Sequence, residues 1–136
     1  MKLDLSPFEN ALVSLNEAIE KFHEDESDKF IRDSVIQRFE YTYEVSYKML
    51  RRFLQLSEYS EGSFDEFVFA DVIRTANERN LLLGNLESWI EYRKMRNITS
   101  HSYNEEKANA IVSVVPSFAK ETEFLLNKLK EKSKNL

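Results

Sequence analysis

The sequence predicts an all-α fold, an up-and-down bundle of about five helices that fills residues 1–136 as a single domain. Three observations predict it. Only two glycines and two prolines occur in 136 residues, too few turn-formers for a many-stranded sandwich or barrel. Charged residues make up 32%, and the apolar residues between them recur at spacings of three and four, the period of a helix with one buried face. The length suits one domain with a real core, held without disulfide or metal staples.

Ser6-Pro7-Phe8-Glu9 reads as a helix start. Ser6 is the expected cap, Pro7 suits the first turn, and Glu9 closes a capping box. Phe8, Leu12, Leu15, Ile19 and Phe22 supply the buried face, which fades over the polar run Glu24 to Ser27. A second helix is predicted from about Asp28 to Leu56, with Ile31, Val35, Phe39, Ser46, Met49, Leu50 and Phe53 in period. Phe39, Tyr43, Tyr47 and Leu50 widen that face. An aromatic stripe of this kind suits a platform for stacked bases or a core whose hydroxyls reach the rim, and core packing is the favoured reading.

A polar loop follows at Ser57 to Gly62, then a capping box, Ser63-Phe64-Asp65-Glu66. The box opens a third helix with Phe67, Val72, Ile73 and Ala76 inward. Asn80 to Gly84 is a short turn. Asn85 caps a fourth helix carrying Leu86, Trp89, Ile90, Tyr92 and Met95, which ends around Ser100 to Tyr103. Asn104 caps a fifth, with Glu105 and Glu106 at its positive end. Its apolar residues are Ile111, Val114, Val115, Phe118, Phe124, Leu125 and Leu129. Pro116 predicts a kink there, and Lys128 to Lys134 a solvated basic tail.

Composition excludes several function classes. With no cysteine, a disulfide scaffold, a Cys-ligated zinc, an iron–sulfur cluster and a thiol nucleophile are all ruled out. Two histidines cannot build a His-rich metal site. Gly62 and Gly84 stand alone, so no Gly-rich phosphate loop exists, and no cofactor is expected. A net charge of −5 argues against a broad basic surface for nucleic acid. The start, Met1 to Pro7, lacks an apolar leader core, and no apolar run is long enough for a membrane span. A cytoplasmic protein without membrane contact is expected.

One segment stands apart. Trp89-Ile90-Glu91-Tyr92-Arg93-Lys94-Met95-Arg96-Asn97-Ile98-Thr99-Ser100-His101-Ser102-Tyr103 places three cations within four residues of an acidic chain. On one continuous helix, Arg96 and His101 would lie about 140° apart. Either the helix unwinds before His101, or a second copy completes the site across a two-fold axis. Histidine exchanges protons near neutral pH. Arginine forks onto phosphate oxygens and offsets charge in a phosphoryl-transfer transition state. Asn97, four residues before His101 and on its face if the helix continues, is suited to orient the phosphate or the imidazole. The set suffices for metal-free RNA cleavage by the ribose 2′-OH, and equally for gripping a phosphate. The plain alternative is an Arg96–carboxylate pair and a helix-capping His101. His23, beside Glu24, Asp25 and Glu26, reads as a solvated surface residue. Glu40 and Glu44 are expected to make intrahelical ion pairs with Arg38, Lys48 and Arg51.

Arg96-Asn97-Ile98-Thr99-Ser100-His101-Ser102-Tyr103 resembles the R-x-x-x-x-H-x-Y motif of HEPN domains, including the polar residue after the arginine. The flanks, Trp89 to Arg93 and Tyr103 to Ala108, resemble the nucleotidyltransferase substrate-binding protein family, related to the HepT toxins. Arg38-Phe39-Glu40-Tyr41-Thr42-Tyr43-Glu44 is similar to that family's second helix, so the likeness covers nearly the whole chain. It implies a helical bundle that forms a homodimer and works beside a minimal nucleotidyltransferase. Within HepT-like members it implies a metal-independent RNase. Arg96 would then stabilise phosphate and His101 act as acid or base. Asn97 would be the supporting polar residue, and Tyr103 would accept AMP from the partner; Arg93 and Lys94, from the cationic cluster itself, are the further expected substrate-binding residues.

Two readings follow. One is an RNase toxin of a toxin–antitoxin pair, silenced by its nucleotidyltransferase neighbour. The other is a non-catalytic substrate-binding subunit of a two-component nucleotidyltransferase, and an acidic surface suits a cationic acceptor at least as well as RNA. A bare helical interaction module leaves the Arg93-to-Tyr103 cluster without purpose.

Overall fold

Helix α1 (Ser6–Glu24) begins one residue earlier than its sequence suggests. Ser6 is already helical, and the side chain that satisfies its amide is Asp4, whose Oδ1 accepts from Ser6 N–H at 3.0 Å. Glu9 closes no box; its carboxylate pairs with Lys130 at 2.8 Å. The computed structural model describes residues 3–57 and 68–134. Over that range the chain forms α1, α2 (Lys29–Ser57), α3 (Phe69–Glu78), α4 (Leu86–Asn97), a 3-10 turn (Thr99–His101) and α5 (Glu105–Ser133). Among the described residues there is no strand, so the all-α bundle holds. The predicted box at Ser63–Glu66, Phe67 and most of the preceding loop lie outside the described residues.

Each described junction has a local cause. Asp28 Oδ1 accepts the amides of Phe30 and Ile31 and opens α2. Asp71 reaches back to the Val68 amide at the start of α3. That helix ends with Asn80 at φ 60°, a left-handed position that asparagine tolerates. Leu81 N–H then bonds Ala76 C=O and Asn80 N–H bonds Asn77 C=O, the paired bonds that close a helix over a left-handed residue. Asn85 and Asn104 cap α4 and α5 as predicted, through Ser88 N–H and Lys107 N–H at 3.1 Å each.

Helix α2 is the hub. It touches α1, α3, α4, the 3-10 turn and α5. The predicted aromatic stripe is core: Phe39 meets Phe118 edge-on at 4.9 Å, and Tyr43 packs near Trp89 and Phe118. Trp89, Phe8, Phe39 and Phe118 are fully buried, and truncating any of them would cost about 3–5 kcal/mol. Ile90 is the exception among the predicted apolar residues of α4. It is half exposed, because Trp89 and Tyr92 fill the inward face and residue 90 is rotated about 100° from Trp89.

Helix α5 runs as a single element through Pro116. The expected solvated tail is largely a working helix end. Leu129 is buried, Lys130 pairs with Glu9, and Lys132 Nζ donates to the Arg79 carbonyl at 3.0 Å.

A buried carboxylate fixes how α4 leaves its turn. Glu121 of α5 is 2% exposed. It accepts from Leu83 N–H and Gly84 N–H at 2.7 Å and from Trp89 Nε1–H at 3.0 Å. Gly84 is needed for this close approach, since a Cβ there would lie 2.8 Å from Glu121 Oε1. With Trp89 anchored, the rotation of α4 is set, and so is the direction in which Arg93 and Arg96 leave it.

Candidate active site

The α-helix that carries the cationic run stops at Asn97. Ile98, His101, Ser102 and Asn104 then donate in succession to the carbonyls of Met95, Ile98, Thr99 and His101. These three-residue bonds tighten the chain and swing it into α5. The helix unwinds before His101, as the first of the two resolutions requires, but within one chain Arg96 contacts Glu44 and His101 contacts Tyr103. The shared helical face of Asn97 and His101, conditional on an unbroken helix, does not arise, as the α-helix stops at Asn97.

Arg96 is two-thirds covered, and its Nη2 donates to the Glu44 carboxylate of α2. That bond, with Glu40 nearby, raises the already high basicity of the guanidinium. The buried Thr99 hydroxyl donates to Glu40 and also lies 2.9 Å from the Arg96 carbonyl. The expectation of intrahelical ion pairs for Glu40 and Glu44 is thus corrected. Both reach across to the motif segment, while Arg38 turns the other way, to the Ser14 carbonyl at 2.7 Å.

His101 and Tyr103 face outward. Tyr103 is 82% exposed, and the two rings meet edge-on at 6.1 Å. Arg93 sets its guanidinium over the Phe69 ring at 4.6 Å, a favourable cation–π placement. Lys94 and Asn97 are exposed. His23 is a surface residue near Glu26, as expected. Beneath the segment, burial pushes the Tyr43 phenol well above its ordinary range, outweighing the opposing charges of Arg93 and Arg96.

The far side of the turn is clamped as well. Glu105, first residue of α5, pairs with Arg32 at 2.7 Å and Lys29 at 3.3 Å. These cations hold its carboxyl below the usual range. Sequence reasoning missed Arg32, Glu40, Glu44, Glu105 and Glu121 as partners. A signal existed in three of them: Arg32, Glu40 and Glu44 are separated by multiples of four, so they share one face of α2.

Residues 3–131 match the sequence family described as nucleotidyltransferase substrate binding protein like. The chain belongs to this family. A relative from Haemophilus influenzae named probable ribonuclease HepT is 34% identical over 140 residues, covering 97% of this chain and 95% of the relative. A solved Haemophilus influenzae structure, described as the fold of a substrate binding domain of a nucleotidyltransferase, superposes with a TM-score of 0.85. It is 32% identical and covers 93% of this chain and 99% of its own. A Thermus thermophilus structure gives a TM-score of 0.70 at 34% identity, covering 90% and 98%. The match to the family includes the whole Arg93-to-Tyr103 segment and the α2 residues that hold it. Among the described residues, no helix is long and apolar enough to cross a membrane.

Proposed function

We propose that this chain is a HepT-like, metal-independent endoribonuclease that acts as a homodimer, partnered in the cytoplasm by a minimal nucleotidyltransferase that serves as its antitoxin. The observation that carries this reading is the intact Arg96-to-Tyr103 motif at a tight turn. Arg96, at the helix end before the turn, is paired with Glu44, and His101 and Tyr103 are exposed. Similarity to the relative named probable ribonuclease HepT supports it.

The chemistry is balanced without a metal. A neutral His101 takes the proton of a ribose 2′-OH, and that oxygen forms a bond to the adjacent phosphorus. The bond from phosphorus to the 5′-oxygen breaks, and that oxygen takes a proton from a protonated His101 of the second copy. The products are a 2′,3′-cyclic phosphate and a 5′-hydroxyl. Arg96 offsets the charge on the phosphorane-like transition state. Asn97 orients the phosphate, while Arg93 and Lys94 hold neighbouring phosphates. Tyr103, with its exposed phenol, is the proposed acceptor of AMP from the partner, and its modification would add bulk and negative charge two residues from His101.

The test is RNA cleavage by the purified chain in EDTA. Cleavage is expected, and Arg96→Ala and His101→Ala are expected to abolish it. A wild type that leaves RNA untouched and does not slow growth on overexpression sinks the reading. The second reading, a non-catalytic substrate-binding subunit, is favoured by the family description and by that of the Haemophilus influenzae structure. It requires nucleotidyl transfer to a third molecule only when both chains are present. AMP found on Tyr103 alone, by mass spectrometry after co-expression, counts against it.

A further inference from the structure

Three residues of one α2 face meet the motif segment in reverse chain order. Glu44 holds Arg96, Glu40 holds Thr99, and Arg32 holds Glu105. The rows run antiparallel, so α2 grips the α4–α5 corner before, within and after the turn that carries His101.

The Glu44–Arg96 pair is puzzling as a binding device. A half-exposed carboxylate beside a phosphate-binding arginine repels the phosphate and competes for the guanidinium. Nothing about ground-state affinity favours it. As the plain reading of Arg96 expects, the pair ties α4 to α2; for an arginine that also binds phosphate, its benefit lies in geometry. A long arginine side chain loses much rotamer freedom when it is fixed. A carboxylate that engages one edge of the fork in the resting protein removes that freedom beforehand, and other N–H donors stay available. Thr99 answers the same need for the backbone, since its buried hydroxyl ties the first residue of the 3-10 turn to α2.

We propose that Glu44 and Glu40 are positioning residues for this site: Glu44 aims the Arg96 guanidinium, and Glu40, through Thr99, sets the turn that delivers His101. This rests on the ribonuclease reading above. Neither residue touches the reacting atoms, and both act through a motif residue.

The experiment uses the full chain and a fluorophore-labelled RNA oligonucleotide, with kcat and KM measured separately and folded protein quantified by thermal melting. Glu44→Ala is expected to lower kcat about 10- to 100-fold, the scale of misplacing a catalytic group by about an ångström. Its KM should be unchanged or lower, because a repulsive charge is gone. Glu44→Gln keeps an acceptor oxygen and should restore most of kcat. Thr99→Val and Glu40→Ala should lower kcat alike, and combining them should cost no more than either alone. Wild-type kcat in Glu44→Ala and Thr99→Val overturns the proposal, as does a loss that tracks the folded fraction.

A second readout does not need activity. The Arg96 Nε–Hε resonance, assigned by its loss in Arg96→Lys, should be ordered in the wild type and motionally averaged in Glu44→Ala. If it is unchanged, the proposal falls whatever RNA does. If the wild type cleaves no RNA while this resonance still depends on Glu44, the ribonuclease reading has failed, and the catalytic purpose proposed for Glu44 falls with it.

Discussion

Replacing Glu121 by alanine removes the acceptor for three donors at once: Leu83 N–H, Gly84 N–H and Trp89 Nε1–H. They are not equivalent. Leu83 is 60% exposed and Gly84 partly so, and their amides can turn to water, which limits each loss to about 1 kcal/mol. Trp89 is wholly buried, and its stranded N–H costs about 1–3 kcal/mol. Relief of the buried carboxylate's desolvation offsets part of this. The net expectation is a loss of about 2–4 kcal/mol. At about 3–4 °C per kcal/mol for a chain of this size, melting should fall by about 10 °C. Glu121→Gln should cost less, about 1–2 kcal/mol. Its amide oxygen can replace Oε1 toward Gly84 and Trp89, while its NH2 meets the Leu83 N–H donor to donor. Urea unfolding followed by fluorescence suits the case, since Trp89 is the sole tryptophan and is bonded to the altered residue. An alanine variant within about 0.5 kcal/mol of wild type, below the cost of one stranded buried donor, would refute this reasoning. So would a glutamine variant less stable than the alanine one.

Three further outcomes are expected. Gly84→Ala should destabilise the wild type, because its Cβ meets Glu121 Oε1 at 2.8 Å; in a Glu121→Ala background the penalty should shrink, and a double-mutant cycle reads the coupling. Tyr43, Tyr47 and Tyr92 have phenol pKa values raised by burial above the ordinary 10.0. Their contribution to stability is present below pH 10.0 and lost as pH rises toward the folded values, so tyrosinate absorbance from these three should appear together with alkaline unfolding. Glu105 is held below its ordinary 4.5 by Arg32 and Lys29. Stability from this pair is present above that value and lost as pH falls through the folded one, and Arg32→Gln should flatten the acid limb of a urea-midpoint profile.

The parts of the fold that were legible in the sequence are those decided by short-range patterns. Phe8, Leu12 and Leu15 on α1, and Val72, Ile73 and Ala76 on α3, lie where their spacing placed them. Asn85 and Asn104 cap because a side-chain oxygen and an amide three residues on are local partners. Ser6 has the composition of a cap, but Asp4 supplies the nearer and charged acceptor. Periodicity also misplaced Ile90, since one residue beside a buried tryptophan decides little about its own face.

The long-range partners were not legible, for a physical reason. Glu44 lies 52 residues from Arg96, and Glu40 lies 59 from Thr99. A glutamate among Arg38, Lys48 and Arg51 has local cations enough to explain it, so nothing in α2 alone marks the pairing. It becomes visible only when α2 and the motif turn are packed together. The motif itself was legible because its spacing is short, though its geometry was not. The helix stops at Asn97 through three-residue bonds that no single residue type announces.

That stop also changes the meaning of the net charge of −5. Arg93, Lys94 and Arg96 read in sequence as a local basic patch. In the fold, Glu44 matches Arg96, and exposed Glu87 and Glu91 share α4 with Arg93 and Lys94. On the ribonuclease proposal, one chain would offer RNA few unmatched cations, and affinity grows with the number of phosphates neutralised. In the proposed dimer a second copy brings its anions with its cations, so the gain is a second Arg96 and a second His101 to share the acid and base roles. On the proposed mechanism it is the pairing of acid and base roles, and not the net charge, that makes a dimer the species in which cleavage should be sought.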